Sequence, residues 1–242
     1  MDRRVDLLQR HAPYHKSDHV INIAYKLHGL QAAINETSLR VWKQQPDEFF
    51  EHAYIDADRS IVEARDSRQG ADVSYKKTLA YHPLTVSLAN TGDVLAIENR
   101  SGARPSSEGA AVRFDHAIDL VQRAGFRSVT LRRDTDFSQT KHLDRWNEAG
   151  VRFVFGYSCH QNLAVRVDSL PKSAWTLLER GAIYITNRRD VSAREIVRLA
   201  NARCAQECII GQLKSGVGCL RALWTTCTAT WLTWSARRSH GP

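Results

Sequence analysis

The sequence predicts an α/β fold built on a mixed sheet, and three observations predict it. From Ala53 the run AYIDADRSIV alternates in polarity and is β-branched. Two apolar runs follow, TLAYHPLTVSLA and VLAIENR, separated by Asn90, Thr91, Gly92 and Asp93. Period-two alternation marks a half-buried strand, and a separator of that composition joins two strands as a hairpin. Beyond the loop SGARPSSEG, helical and strand patterns alternate as far as Tyr157, as expected where helices cover a partly parallel sheet.

The elements follow in order. Residues 14–50 read as helical, with Ile21, Ile23, Ala24, Leu27, Leu39, Val41 and Trp42 in apolar positions. After the hairpin, Ser107 is placed to cap a helix running to Ala124, with an apolar stripe of Phe114, Ala117, Ile118 and Val121 ended by Gly125. SVTLRR is a short buried strand. Ser138 then opens a helix over QTKHLDRWNEA, Gly150 closes it, and VRFVFGY is the next strand. Strand, two hairpin strands, helix, strand, helix, strand is the order of a ribonuclease-H-like fold, though other α/β domains share it.

Further on, AIYITN reads as a strand and VSAREIVRLANARCAQECIIGQLKSG as one long helix, opened by a capping box of Ser192 and Glu195. On a continuous helix, Ala200, Arg203, Glu207 and Lys214 fall within an arc of roughly 60°. That face carries a cation, a carboxylate and a second cation. A solvated face with an Arg203–Glu207 pair, worth a few tenths of a kcal/mol, is the simpler reading of the pattern by itself.

Bulk properties narrow the function. The chain has 242 residues, enough for one or two domains, and 34 Lys and Arg against 26 Asp and Glu give a net charge of +8. Such a surface attracts a polyanion such as nucleic acid, although ordinary enzymes reach the same excess. The segment MDRRVDLLQRHAPYHKSDHV holds no apolar run suited to a signal peptide, and no later stretch approaches a membrane span, so a cytoplasmic location is expected. Cys159, Cys204, Cys208, Cys219 and Cys227 are odd in number and lack paired spacing, which suits a reducing compartment. Cys204, Cys208 and His160 could be imagined around zinc, but the tight spacing and fourth ligand of such a site are missing.

The carboxylates are more telling. Asp56 and Asp58 stand two apart on the first strand and leave the same face of the sheet. Asp134 and Asp136 lie just past the fourth strand, at the carboxyl edge where α/β sheets form ligand sites. In a ribonuclease-H-like sheet these strands are neighbours, so the carboxylates meet and require a hard cation. Two magnesium ions about 3.5–4 Å apart can drive an in-line phosphoryl displacement, and Glu207 on the later helix is the candidate third carboxylate. Taken singly, each Asp reads as turn or capping chemistry.

YHPLTVSLANTGDVLAIENRSGARPSSEGAA together with LRRDTDFSQTKHLDRWNEAGVRFVFGY resembles the transposases of DDE domain group 1, from bacterial insertion sequences that move by cut and paste. The similarity runs from about Leu39 to Leu178 and resumes from Ala182 to about Arg221. Arg203, Glu207 and Lys214 match the spacing of the last three residues of the family's Tyr, Arg, Glu, Lys signature, and Ala200 stands at the tyrosine position. The resemblance implies a catalytic, metal-binding triad of Asp58, Asp134 and Glu207. It chooses Asp58 over Asp56 because Asp58-Arg59-Ser60 fills an Asp-x-Ser/Thr motif. Arg203 and Lys214 would bind DNA phosphates. It further implies Mg2+ as cofactor, with Mn2+ as substitute, and terminal inverted repeats and target DNA as substrates, cut and joined by strand transfer, with a homo-oligomer assembling on the DNA.

Departures from the family suggest a truncated, impaired copy. Arg59 replaces a small residue, and its fixed charge would compete with a metal ion. A long inserted β segment is missing between Leu178 and Ala182. Residues 1–50 resemble a shortened N-terminal helical region, and 51–214 the catalytic domain. From Trp224 the tail reads WTTCTATWLTWSA, and its codons read one base later permit residues like the family's continuation DNLYSN; residues 222–242 are therefore expected to be frameshifted.

Overall fold

A computed structural model describes residues 18–64, 70–105, 107–135, 140–174 and 183–216. Asp136, Ser138, the join near Leu178 to Ala182 and the tail from residue 217 lie outside the described residues. The chain opens with helix α1 (Asp18–Trp42), which stops short of Pro46 and is followed by a 3-10 turn at Asp47–Phe50. Trp42 anchors the helix end, since its indole N–H donates to Asp93 Oδ2 at 2.8 Å and its ring meets Phe126 edge-on.

Strand β1 (Ala53–Arg59) begins where the sequence places it. The short strands β2 (Val62–Glu63), β3 (Asp72–Val73) and β4 (Leu79–Tyr81) follow, and then β5 (Leu84–Leu88) and β6 (Asp93–Glu98) form the hairpin. Helix α2 (Ala110–Ala124), β7 (Val129–Arg133), α3 (Leu143–Glu148) and β8 (Arg152–Gly156) supply the alternation, and α4 (Gln161–Asp168) trails β8. Strand β9 (Tyr184–Thr186) and helices α5 (Ala193–Asn201) and α6 (Cys204–Gly211) complete it, with a π turn at Gln212–Gly216.

Six strands form one mixed sheet in the order β6-β5-β1-β7-β8-β9. The β5–β6, β1–β5 and β8–β9 pairs are antiparallel, whereas β1–β7 and β7–β8 are parallel. The central strands β5 and β7 are buried along their whole length, because helices cover both faces. Alternation in β1 divides its side chains accordingly. Ala53, Ile55 and Ala57 join the large core with Phe114 and Val121 of α2. Tyr54, Asp56 and Asp58 face the other way, where Ile196 and Leu199 of α5 pack on Val154, with Tyr54 against them.

Four expectations need correction. TLAYHPLTVSLA is one apolar run but two strands: β4 pairs with β2 and β3 in a separate three-stranded sheet, and β5 enters the main sheet. The break falls at His82–Pro83, where proline has no N–H to give a ladder. Ser107 does not cap α2. The helix starts at Ala110 behind Gly109, whose φ of 74° puts it in the left-handed region, with no side-chain cap. The anticipated long helix from Ser192 is broken at Ala202–Arg203 into α5 and α6. Only one half of the capping box forms: Ser192 Oγ accepts from the Glu195 N–H at 3.3 Å, while the Glu195 carboxylate turns to Arg198 at 2.6 and 2.8 Å. Among the described residues no helix is long and apolar enough to cross a membrane.

Candidate active site

The parallel register of β1 with β7 sets Asp56 opposite Arg132. The paired register ends there; Asp134 follows directly after β7, and its charge acts on the Asp58 carboxyl. Gly156 on β8 makes room for this exit: a Cβ there would lie 3.0 Å from the Asp134 carbonyl carbon and 2.8 Å from the Thr135 nitrogen. The glycine of FGY thus positions a candidate carboxylate, a role that strand alternation does not reveal.

The two aspartates of β1 differ sharply. Asp56 is fully buried and gripped at both oxygens by Arg132, Nε to Oδ1 at 2.7 Å and Nη2 to Oδ2 at 2.8 Å. Burial pushes its carboxyl up, and the hydrogen bonds and charge of Arg132 pull it back. Arg132 is further occupied by the Leu199 carbonyl at 3.3 Å and by the Tyr54 ring 5.0 Å from its guanidinium carbon. Asp56 is therefore a structural partner with both oxygens engaged.

Asp58 is partly open, with 17% of its side chain exposed, and its Oδ1 accepts the Arg59 N–H at 2.7 Å. Burial raises its pKa, the Arg59 hydrogen bond opposes this, and the charge of Asp134 raises it again. Arg203 and Arg133 act in the opposite direction, and Arg203 Nη2 stands 3.9 Å from Asp58 Oδ2. Arg133 is itself buried, which lowers its pKa well below the ordinary value. Two carboxylates and two arginines thus converge at the carboxyl ends of β1 and β7.

The break between α5 and α6 explains how Arg203 gets there. Gln206 points inward, takes a hydrogen bond from Ser87 Oγ and donates to the Thr85 carbonyl at 3.3 Å. Ile209, Ile210 and Leu213 seat the same segment on Val62, Tyr81 and Ile97. Arg203, at the turn, reaches the sheet, and Glu207 is left exposed. The common face expected for Arg203, Glu207 and Lys214 does not form, because the continuous helix it required is absent. Lys214 lies in the π turn, its pKa lowered by burial and by Lys76 against the pull of Glu63.

Arg59 follows Asp58 at the end of β1. Its guanidinium is directed to His82, Nη1 to Nε2 at 2.9 Å, and lies 5.0 Å from the Tyr75 ring centre. The cations that act on the Asp58 carboxyl are Arg203 and Arg133.

Residues 18–202 match the family "Transposase DDE domain group 1". The chain belongs to this family. No curated protein matches it. Among solved structures it is similar to a piggyBac transposase, determined by cryo-electron microscopy as a synaptic complex with hairpin DNA. Identity is 7% and the TM-score 0.40, over 78% of this chain and 47% of that one, so this chain spans about half the neighbour's length.

Members of the DDE family typically use divalent metal ions, and the donors of this member suit them in part. Asp58 and Asp134 offer hard oxygens whose mutual repulsion a cation relieves, and such ions bind through one or two carboxylates plus substrate phosphates. Among the described residues, no three His, Cys, Asp or Glu side chains form a group that could hold a metal ion. Glu207 is exposed on α6. Cys159 and Cys208 are free and exposed.

Proposed function

We propose that this chain is the catalytic domain of a bacterial insertion-sequence transposase, built on a ribonuclease-H-like sheet over residues 51–214, that cleaves DNA at terminal inverted repeats and joins it to a target. The observation that carries the reading is the convergence of Asp58 and Asp134 at the carboxyl ends of adjacent parallel strands, with the charge of one raising the other. The strand order β6-β5-β1-β7-β8 supports the sheet assignment. Asp58 is the first catalytic aspartate in this reading, because both oxygens of Asp56 are taken by Arg132.

Mg2+, or Mn2+ in its place, held by Asp58 and Asp134, would supply activation of a water or 3′-hydroxyl and stabilisation of the leaving oxygen. The protein's own groups do the rest. Arg203 has a buried Nε without a hydrogen-bond partner among the described residues, a donor suited to a phosphate oxygen beside the aspartates. Lys214 adds a second cation for the DNA backbone, consistent with the chain's net charge of +8. Assembly as a homo-oligomer on the DNA belongs to the same reading.

The exposure of Glu207, on a helix broken from α5 before it, supports the further proposal that this copy is impaired, down to a DNA-binding remnant at the limit. A misplaced third carboxylate is enough to weaken catalysis severely. Cleavage of a labelled duplex bearing the element's ends, with Mg2+ or Mn2+, tests the reading against Asp134→Asn. Metal-dependent nicking that is lost in the variant is the expected result. Folded protein that binds DNA and cuts none would leave only the remnant.

A further inference from the structure

One residue past Asp58, the end of β1 borders a cavity of about 460 Å³ between the main sheet and the small sheet of β2, β3 and β4. Arg59, Tyr75, His82, Gly102 and Arg104 contribute to its wall. The wall is built with care. Gly102 lies so close to the β3–β4 pair that a Cβ would overlap the carbonyl oxygens of Asp72 and Ala80. His82 is 2% exposed and fixed at both ring nitrogens. A guanidinium can only donate, so His82 Nε2 accepts from Arg59 at 2.9 Å, and the protonated Nδ1 faces the Arg104 carbonyl at 3.3 Å. This neutral tautomer holds the Arg59 guanidinium at the cavity wall, beside the aromatic ring.

Tyr75 is 66% exposed, one of several large apolar residues described that are open to solvent and the aromatic one among them. Cations surround it. The Arg59 guanidinium carbon lies 5.0 Å and Lys76 Nζ 5.9 Å from the ring centre. Lys76 also acts on Lys214 of the π turn, whose pKa burial and Lys76 lower against the pull of Glu63. An open aromatic ring framed by cations is the chemistry that binds single-stranded nucleic acid, in which a base stacks on the ring and phosphates meet the charges.

We propose that this cavity is a nucleotide subsite, in which a base lies against Tyr75 and its phosphate on Arg59, while Arg104 at the wall is already paired with Glu108, and that its natural occupant is a nucleotide of an unpaired DNA strand. The subsite deepens the transposase reading, since it sits one residue from Asp58. The step is binding alone and requires no metal.

The test is fluorescence anisotropy with labelled single-stranded and duplex oligonucleotides of equal length, in EDTA, on the full chain. Tyr75→Ala is expected to weaken single-strand binding by at least about five-fold, the lower end for loss of one stacked base. Duplex binding should change by less than two-fold, and Tyr75→Phe, which keeps the ring, should restore single-strand affinity. Because Tyr75 is exposed, its removal leaves the fold intact. Displacement of the single strand by a deoxynucleoside monophosphate, in wild type but not in Tyr75→Ala, would support the chemistry and make a free nucleotide the occupant. Equal binding by wild type and Tyr75→Ala, equal losses on single strand and duplex, or no single-strand binding at all would overturn the proposal. Since no metal is present, failure of DNA cleavage would refute the catalytic reading and leave this one standing.

Discussion

At the scale of single residues, two aspartates two positions apart on one strand have opposite roles. Asp56 is a buried ion-pair partner of Arg132, and Asp58 is half-open toward Asp134. The difference predicts opposite responses to the same substitution. Asp56→Asn should destabilise the chain by about 3–5 kcal/mol, because it leaves the Arg132 charge buried without its counter-ion. Asp58→Asn should shift stability by less than about 1 kcal/mol, since burial and Asp134 already disfavour its charged form and its ion-pair partner Arg203, at 3.9 Å, is only partly desolvated. Denaturant midpoints at pH 7 measure both, and equal losses in the two variants would contradict the division of roles. Spacing alone could not make the choice. It placed both carboxylates on one face, and the motif resemblance had to separate them, because the partner that occupies Asp56 comes from a strand more than seventy residues further along.

Among the elements, the segment after Ser192 carries the main lesson. Its helical periodicity is unbroken in sequence, yet the chain turns at Ala202–Arg203. Two tertiary contacts account for the break: Arg203 is drawn toward Asp58, and Gln206 is inserted between Thr85 and Ser87 of β5. Helix propensities differ by only a few tenths of a kcal/mol per residue, and buried polar contacts exceed them. Gln206→Ala should therefore cost about 1–3 kcal/mol, since it strands the buried Ser87 hydroxyl, and should loosen α6 from the sheet. Hydrogen exchange of the α6 amides reads that loosening directly, and unchanged protection would show that Ile209, Ile210 and Leu213 hold the helix unaided. The main strands and α2 were legible because period-two alternation and an apolar stripe are local signals. The small sheet was not, since two- and three-residue strands carry too little pattern, and with it went Tyr75, His82 and Gly102. The isolated turn sequence around Tyr75 offered no signal from which the cavity could have been inferred.

For the molecule as a whole, the sheet brings together in space what the sequence scatters. Asp58 and Asp134 come from strands separated by a hairpin and a helix, and the parallel pairing of β1 with β7 makes them neighbours. Family membership follows from the match over residues 18–202, and the proposed chemistry follows from that pairing. The central claim is that the aspartate pair, without Asp56 and without help from Glu207, is where a divalent ion binds. Electron paramagnetic resonance titration of Mn2+ in the presence of duplex DNA tests it on wild type, Asp58→Asn, Asp134→Asn and Glu207→Gln. Saturable binding by wild type and Glu207→Gln, and its loss in both aspartate variants, is the expected result. Binding that survives in Asp58→Asn and Asp134→Asn, or that is abolished by Glu207→Gln, would contradict it.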